Sequence, residues 1–301
     1  MHNLLWLSVL SLAACGGGNN GSLGQKGVAT FEWGPCLFDC GLDKHAMAAG
    51  GAAAVLRVTG AGALAKVESS KPEVATFLVS DPKTVNATAG QVGTADLILK
   101  DASGQEIDRA TVTVKPINAL PYDNGWGGDP GPTILANTGV SLHTIGKNGS
   151  EVLIGTGAVK FTLTGTLQQD SQIVFGDTIA FKGTVGTGSV KADCIDAHLT
   201  VPVAVVDSAA ITSVELSKSS LTFAHDKPES VGVTTKVGDK VVFGAACTWS
   251  SSPNGLTFTG HAGFLGTAAV SYSVAGAAGS YTASCTAPGG VKSATLNVTI
   301  N

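Results

Sequence analysis

"GTADLILKDASGQEIDRATVTV", Gly93 to Val114, and "GSYTASCTAPGGVKSATLNVTI", Gly279 to Ile300, decide the fold. Aligned on their first glycine, they are equally long. Each alternates apolar and polar residues, passes a glycine-containing turn ("DASGQE" or "APGGVK"), and alternates again. Alternation at period two turns one set of side chains to a core and the other to water, so each stretch predicts a terminal β-hairpin. In "SYTASCT" the inward set is Tyr281, Ala283 and Cys285. A looser counterpart runs from Asp177 to Val205. The hairpins recur about every 90–95 residues, too long for a solenoid repeat and suited to sandwich domains of about 100 residues.

The remaining composition agrees. Of 301 residues only 13% are charged, the formal net charge is −4, and Gly is abundant at 40 residues. Short alternating runs broken by Gly, Asp, Asn and Pro recur, and no long stretch carries a 3.6-residue period, so the chain reads as all-β. The absence of a basic patch argues against nucleic acid as a partner. "PINALPYDNGWGGDPGPT", residues 116–133, reads as a linker, because its prolines and glycines deny it a regular ladder. "VVDSAAITS", residues 205–213, predicts a shorter and stiffer joint.

Residues 210–301 resemble a bacterial immunoglobulin-like domain of group 2. The residues that carry the likeness are the opening strand "ITSVELSKSSLTF", the Trp-Ser-Ser signature in "CTWSSSPNGLTF", and the strand "GSYTASC". Residues 29–117 resemble a diverged copy through "AKVESSKPEVATF", with Val67 where Trp would stand, and "TVNATAGQVGTADLIL". The middle stretch matches only in its closing strands and is read as Ig-like by position and size. The resemblance implies tandem Ig-like antiparallel β-sandwiches at 29–117, 118–207 and 208–301. Trp249 is the candidate central aromatic of the last unit, and Trp33 is read as core.

Ahead of these units, Leu4 to Ala14 is apolar but too short for the roughly 20 residues of a spanning helix, and it reads as a secretory signal over residues 1–14. Leu12-Ala13-Ala14-Cys15 looks like a bacterial lipobox, although the leader "MHN" lacks Lys and Arg. That likeness implies lipidation of Cys15, with palmitate among the acyl chains, and anchorage to the membrane. "GGGNNGSLGQKG" then predicts a flexible tether over 15–28, with a reach of roughly 20 Å. Gly16 after the cysteine, by resemblance to Gram-negative sorting, implies the outer membrane.

Six cysteines occur. With Cys15 lipidated, Cys247 with Cys285 is the strongest disulfide pair in an oxidising compartment. By comparison with antibody domains, Cys247 lies on strand C, and its bridge to strand F joins neighbours in one sheet. Cys36 and Cys40 form either a small disulfide loop or two zinc thiolates, and Cys194 is left over as a buried thiol.

Sequence motifs for metalloprotease, serine hydrolase and phosphate-loop chemistry are absent. The expectation is a non-enzyme with no cofactor and no bound metal. Its modules would act as spacer, scaffold or adhesive surface in the cell envelope, facing an unknown protein or polysaccharide. The alternative is a carbohydrate-binding or enzyme-associated accessory module, with Tyr122 and Trp126 as an aromatic platform. Asp123, Asn124 and Asp129 offer few oxygens for calcium, which wants 6–8. His143 and His198 are candidates to meet in space, and the polar loop 163–172 is a candidate contact.

Overall fold

The computed structural model describes residues 21–34, 40–122, 131–170, 177–195, 197–261 and 270–301. Among them, regular structure is strand throughout, apart from one 3-10 turn at Ser208–Ala210. The first unit holds β1 (Ser22–Leu23), β2 (Thr30–Gly34), β3 (Met47–Ala48), β4 (Ala53–Thr59), β5 (Lys66–Ser69), β6 (Ala75–Asp81), β7 (Thr84–Ala89), β8 (Gly93–Lys100) and β9 (Glu106–Lys115). One sheet runs β1-β2-β4-β7-β6 and the other β3-β9-β8-β5. In immunoglobulin lettering these are A-B-E-D, extended by β1, against A′-G-F-C. Phe31, Trp33, Leu56, Leu97 and Leu99 point between the sheets and are buried. The Trp33 indole N–H reaches the carbonyl of His45 at 3.2 Å, so the buried ring leaves no orphan donor.

The middle unit holds β10 (Thr133–Leu135), β11 (Val140–His143), β12 (Lys147–Asn148), β13 (Glu151–Val152), β14 (Lys160–Gln169), β15 (Thr178–Cys194) and β16 (Ala197–Val206). The last unit holds β17 (Ser213–Leu216), β18 (Ser220–Phe223), β19 (Glu229–Val237), β20 (Lys240–Phe243), β21 (Thr248–Ser252), β22 (Thr257–His261), β23 (Val270–Ala275), β24 (Gly279–Thr286) and β25 (Leu296–Ile300). Its sheets, β17-β19-β23-β22 and β18-β25-β24-β21, repeat the first unit's topology.

The repeat extends to register. Gly93 faces Val114 as Gly279 faces Ile300. Val67 faces Leu99 as Trp249 faces Cys285. Ala75 faces Ala89 as Thr257 faces Ala275. Met47 lies parallel to Val114 as Phe223 lies parallel to Ile300. A one-residue slip would turn every inward side chain outward. Leu99 and Cys285, Val114 and Ile300, and Met47 and Phe223 are buried alike. Ala75 and Ala89, however, are buried where Thr257 and Ala275 are exposed, so the β22-β23 pair turns its inward face one position away.

Residues 118–207 depart from the Ig-like expectation. Among the described residues they do not form two facing sheets of that topology. β14, β15 and β16 form a meander of 10, 17 and 10 residues, and β11 continues along the β15 edge that β16 leaves free. Nothing in "TIAFKGTVGTGSVKADC" supplies a turn, so a single strand runs the whole length. Its glycines serve close approach instead. A side chain at Gly188 would run into the Thr164 carbonyl and the Leu167 side chain on the paired β14.

Both junctions are filled. Ala48 N–H reaches the Ile154 carbonyl at 2.9 Å, and Ala53 and Thr156 exchange bonds of 2.8 and 2.9 Å. Beneath them Ala46, Ala52, Ile117, Leu120, Leu153 and Ala192 share one buried cluster. The described part of the predicted linker therefore packs: Ala119 bridges Lys147 and Tyr122 bridges Thr144, although neither makes a ladder. At the second junction β10 runs parallel to β16 on one side and to β20 on the other. One sheet thus passes from the middle unit into the last. Asp207 caps the turn that follows, accepting from Ala210 N–H at 2.9 Å.

The tether is also shorter than its composition implies. Residues 21–28 are not a free spacer, because β1 pairs with β2 and Gln25 N–H bonds the Arg109 carbonyl at 2.8 Å. Backbone hydrogen bonding holds this stretch where side-chain burial alone would not.

Candidate functional site

The repeat exposes where the two sandwiches differ. In the last unit the outer face of the β18-β25-β24-β21 sheet is tiled with hydroxyls. Thr248 faces Thr286, Ser250 faces Ser284, and Ser252 faces Thr282. On the other side of β24, Ser280 faces Thr299 and Thr282 faces Asn297. Ser220 and Thr222 extend the array onto β18. None of these four strands contains a charged residue. The hydroxyls partly satisfy one another: Ser250 Oγ lies 3.2 Å from Ser284 Oγ, and Thr282 Oγ1 donates to the Ser252 carbonyl at 3.3 Å.

At the same register the first unit is charged. Lys66 faces Lys100 where the last unit has Thr248 and Thr286, and Glu68 stands where Ser250 stands. Glu68 lies between the two ammonium groups, 2.9 Å from Lys66 and 2.5 Å from Lys100. Asp96 occupies the place of Thr282 and lies 3.8 Å from Arg109, which also pairs with Glu106. The Arg109 guanidinium, aided by Lys26, holds Glu106 down at about 2. Exposed pairs of this kind add little stability. Their consequence is a charged, solvated face where the twin face is neutral.

A second feature is a groove of about 330 Å³ beside the first junction. Ser22, Asp43, His45, Thr113, Lys115 and Glu151 are among its lining residues. Asp43 accepts from the Ser22 hydroxyl, which lowers its pKa. Lys115, 2.5 Å from Glu151, lowers that carboxyl likewise. The groove's charges are thus largely spent on one another. Asp177 behaves differently. It is buried, and burial pushes its carboxyl up against the pull of the Gly157 and Val159 N–H groups it accepts.

The residues singled out from sequence disperse. Cys247 and Cys285 form a disulfide with Cα atoms 5.5 Å apart. It ties β24 to the residue before β21, within one sheet as the strand order implied. Trp249 beside it stacks on Phe258 at 4.1 Å and meets Tyr272 edge-on at 5.5 Å. The Tyr272 hydroxyl in turn accepts from Cys247 N–H at 2.9 Å. Cys40 is disulfide-bonded. Cys36, Cys15, Trp126, Asp123, Asn124 and Asp129 lie outside the described residues. Tyr122 is half-buried and packs on the middle unit's core, so its ring is committed to packing. His143 bonds Thr178 and His198 bonds Asp193, near opposite ends of β15. At about 3.3 Å per residue of strand they stand some 50 Å apart and cannot share a metal. Cys194 is buried at the first junction.

Sequence reasoning turned Ser280, Thr282, Ser284 and Thr286 to water but did not single them out as a site, although the signal was present. Ser or Thr at every second position of "TWSSS" and "SYTAS" marks one outward face.

Comparisons with known proteins bear on the fold. A family model described as the pilus formation protein N-terminal region matches residues 51–115, which correspond to β4 through β9. No curated protein matches the chain. Among solved structures, domains 4–9 of the surface layer protein SbsC are 16% identical, covering 82% of this chain and 42% of that one, with a TM-score of 0.32. The adhesin InvE of Yersinia pseudotuberculosis is 18% identical over 60% of this chain and 58% of its own, with a TM-score of 0.26. The D0-D1 domain of intimin is 16% identical over 60% of this chain and 96% of its own, with a TM-score of 0.23. The chain spans 42% to 54% of the first three surface-layer chains it matches.

Proposed function

We propose that this chain is an envelope lipoprotein, anchored through Cys15, that acts as a spacer carrying an interaction face away from the membrane. The observation that carries the reading is the pair of filled junctions. Backbone hydrogen bonds cross from the first unit to the middle one, and a shared strand joins the middle unit to the last. Flexibly strung domains would be free to fold back on the anchor. Units stitched by sheet hydrogen bonds hold a fixed geometry, which is what a spacer requires.

The hydroxyl face of the last unit is the surface presented. It offers donors and acceptors without the desolvation cost of charge, so it suits an uncharged partner better than the first unit's ion-paired face does. The disulfide agrees with export to an oxidising compartment.

Two measurements test the reading. Labelled palmitate should enter the wild-type protein and not Cys15→Ser, which should leave the membrane fraction. Thr282→Arg, a charge planted on the face, should leave the fold intact and abolish crosslinks to envelope components. Soluble wild-type protein without label would end the anchored reading. An unchanged crosslinking pattern in Thr282→Arg would end the role given to the face.

A further inference from the structure

The stretch read as tether contains a built clasp. Asp108 on β9 is fully buried, and both its oxygens are spent on backbone amides. Oδ1 accepts from Lys26 and Arg109 N–H, each at 2.8 Å. Oδ2 accepts from Val28 and Ala29 N–H, each at 2.8 Å. Three of these four donors belong to the N-terminal strap. Charge-assisted bonds of this kind are roughly twice as strong as neutral ones. The strap is shaped for the purpose. Gly27 takes φ +73°, and any side chain on Gly24 would land on the Asp108 carboxylate itself. Around the clasp, Lys26 pairs with Glu106 at 3.1 Å, and Gln25 bonds both the Arg109 carbonyl and the Thr111 hydroxyl.

The placement matters as much as the bonds. β1 pairs with β2, in the A-B-E-D sheet, whereas Asp108 and Arg109 belong to β9 in the facing sheet. β3 pairs with β9 only at Val114 and Lys115, so the strap covers the stretch of β9 edge that β3 leaves bare. A pull on residue 21 therefore reaches both sheets together.

We propose that Asp108 and the Gly24–Ala29 strap form a carboxylate clasp. It fixes the point where the N-terminal segment leaves the sandwich and passes tension on that segment to β9 as well as β2. The direction of pull rests on the anchored reading above; the clasp is a property of the folded chain and is tested without a membrane.

Hydrogen exchange and trypsin digestion of the full chain in detergent read it out. In the wild type, the amides of Lys26, Val28 and Ala29 should exchange as slowly as those of β4, and trypsin should spare the Lys26–Gly27 bond. Asp108→Ala, and independently Gly24→Val, should speed exchange of those amides roughly tenfold to a hundredfold, and should open the Lys26 site. The β4 and β7 amides should stay protected. Unprotected strap amides in the wild type would overturn the proposal without reference to any variant. So would strap protection in Asp108→Ala equal to wild type, or loss only together with β4. Palmitate labelling should be indifferent to both substitutions, so failure of the anchor and failure of the clasp are separable.

Discussion

Ile134→Ala is the sharpest probe of the shared sheet. Ile134 is the middle residue of β10, is fully buried, and is registered against Val205 on one side and Phe243 on the other. Truncation removes about three methyl or methylene groups, worth roughly 2.4 kcal/mol at about 0.8 kcal/mol each. The cavity left between two units that cannot easily collapse raises this to about 3–4 kcal/mol. For a cooperative block of the middle and last units, each kcal/mol shifts Tm by about 2–4 °C, so the loss should be roughly 6–16 °C. Scanning calorimetry should show the two units melting together in the wild type and separately in the variant. A double-mutant cycle with Phe243→Ala should return a coupling above about 0.5 kcal/mol, because the two side chains share one cluster. A loss below about 1 kcal/mol, or strict additivity with Phe243→Ala, would refute the idea that β10 carries the joint.

Other outcomes follow from the same geometry. Replacing both Cys247 and Cys285 by Ala opens a loop of 38 residues and should cost about 4 kcal/mol on the chain-entropy account; denaturant melts of the last unit's Trp249 fluorescence measure it. Asp177 has its carboxyl raised by burial, so the folded state takes up a proton more readily than the unfolded one. This residue therefore adds stability as pH falls from above its folded pKa to below its unfolded value, and subtracts it at neutral pH. Asp177→Asn keeps an oxygen for the Gly157 and Val159 amides. It should match or exceed wild-type stability at pH 7, and the difference should close in acid, as paired melts across pH would show. Asp177→Ala should instead cost about 1–3 kcal/mol by orphaning those donors.

Much of the fold was legible because sandwiches write themselves locally. Alternation in residues 93–114 and 279–300 fixes which side chains point inward. It also places both hairpins in the same register, while the resemblance to the bacterial Ig-like family puts Val67 where Trp249 stands. The Cys247–Cys285 pair was legible from cysteine spacing in an oxidising compartment, and the structure bears it out within one sheet. Less of the candidate face was read, since hydroxyl side chains are outward-facing filler until a charged twin shows what was available at the same positions.

Local pattern therefore determined the chain's β character, its repeat and its inward residues, since each depends on nearest neighbours along a strand. Tertiary structure alone decided the rest. That β10 would be caught between β16 and β20 depends on partners about 70 and 109 residues distant, a contact that no local periodicity encodes. That "GSLGQKG" would be bound rather than loose depends on Asp108, about 80 residues away. Glycine composition describes what a backbone is free to do. Which amides are captured is set by the carboxylate that the fold brings to them.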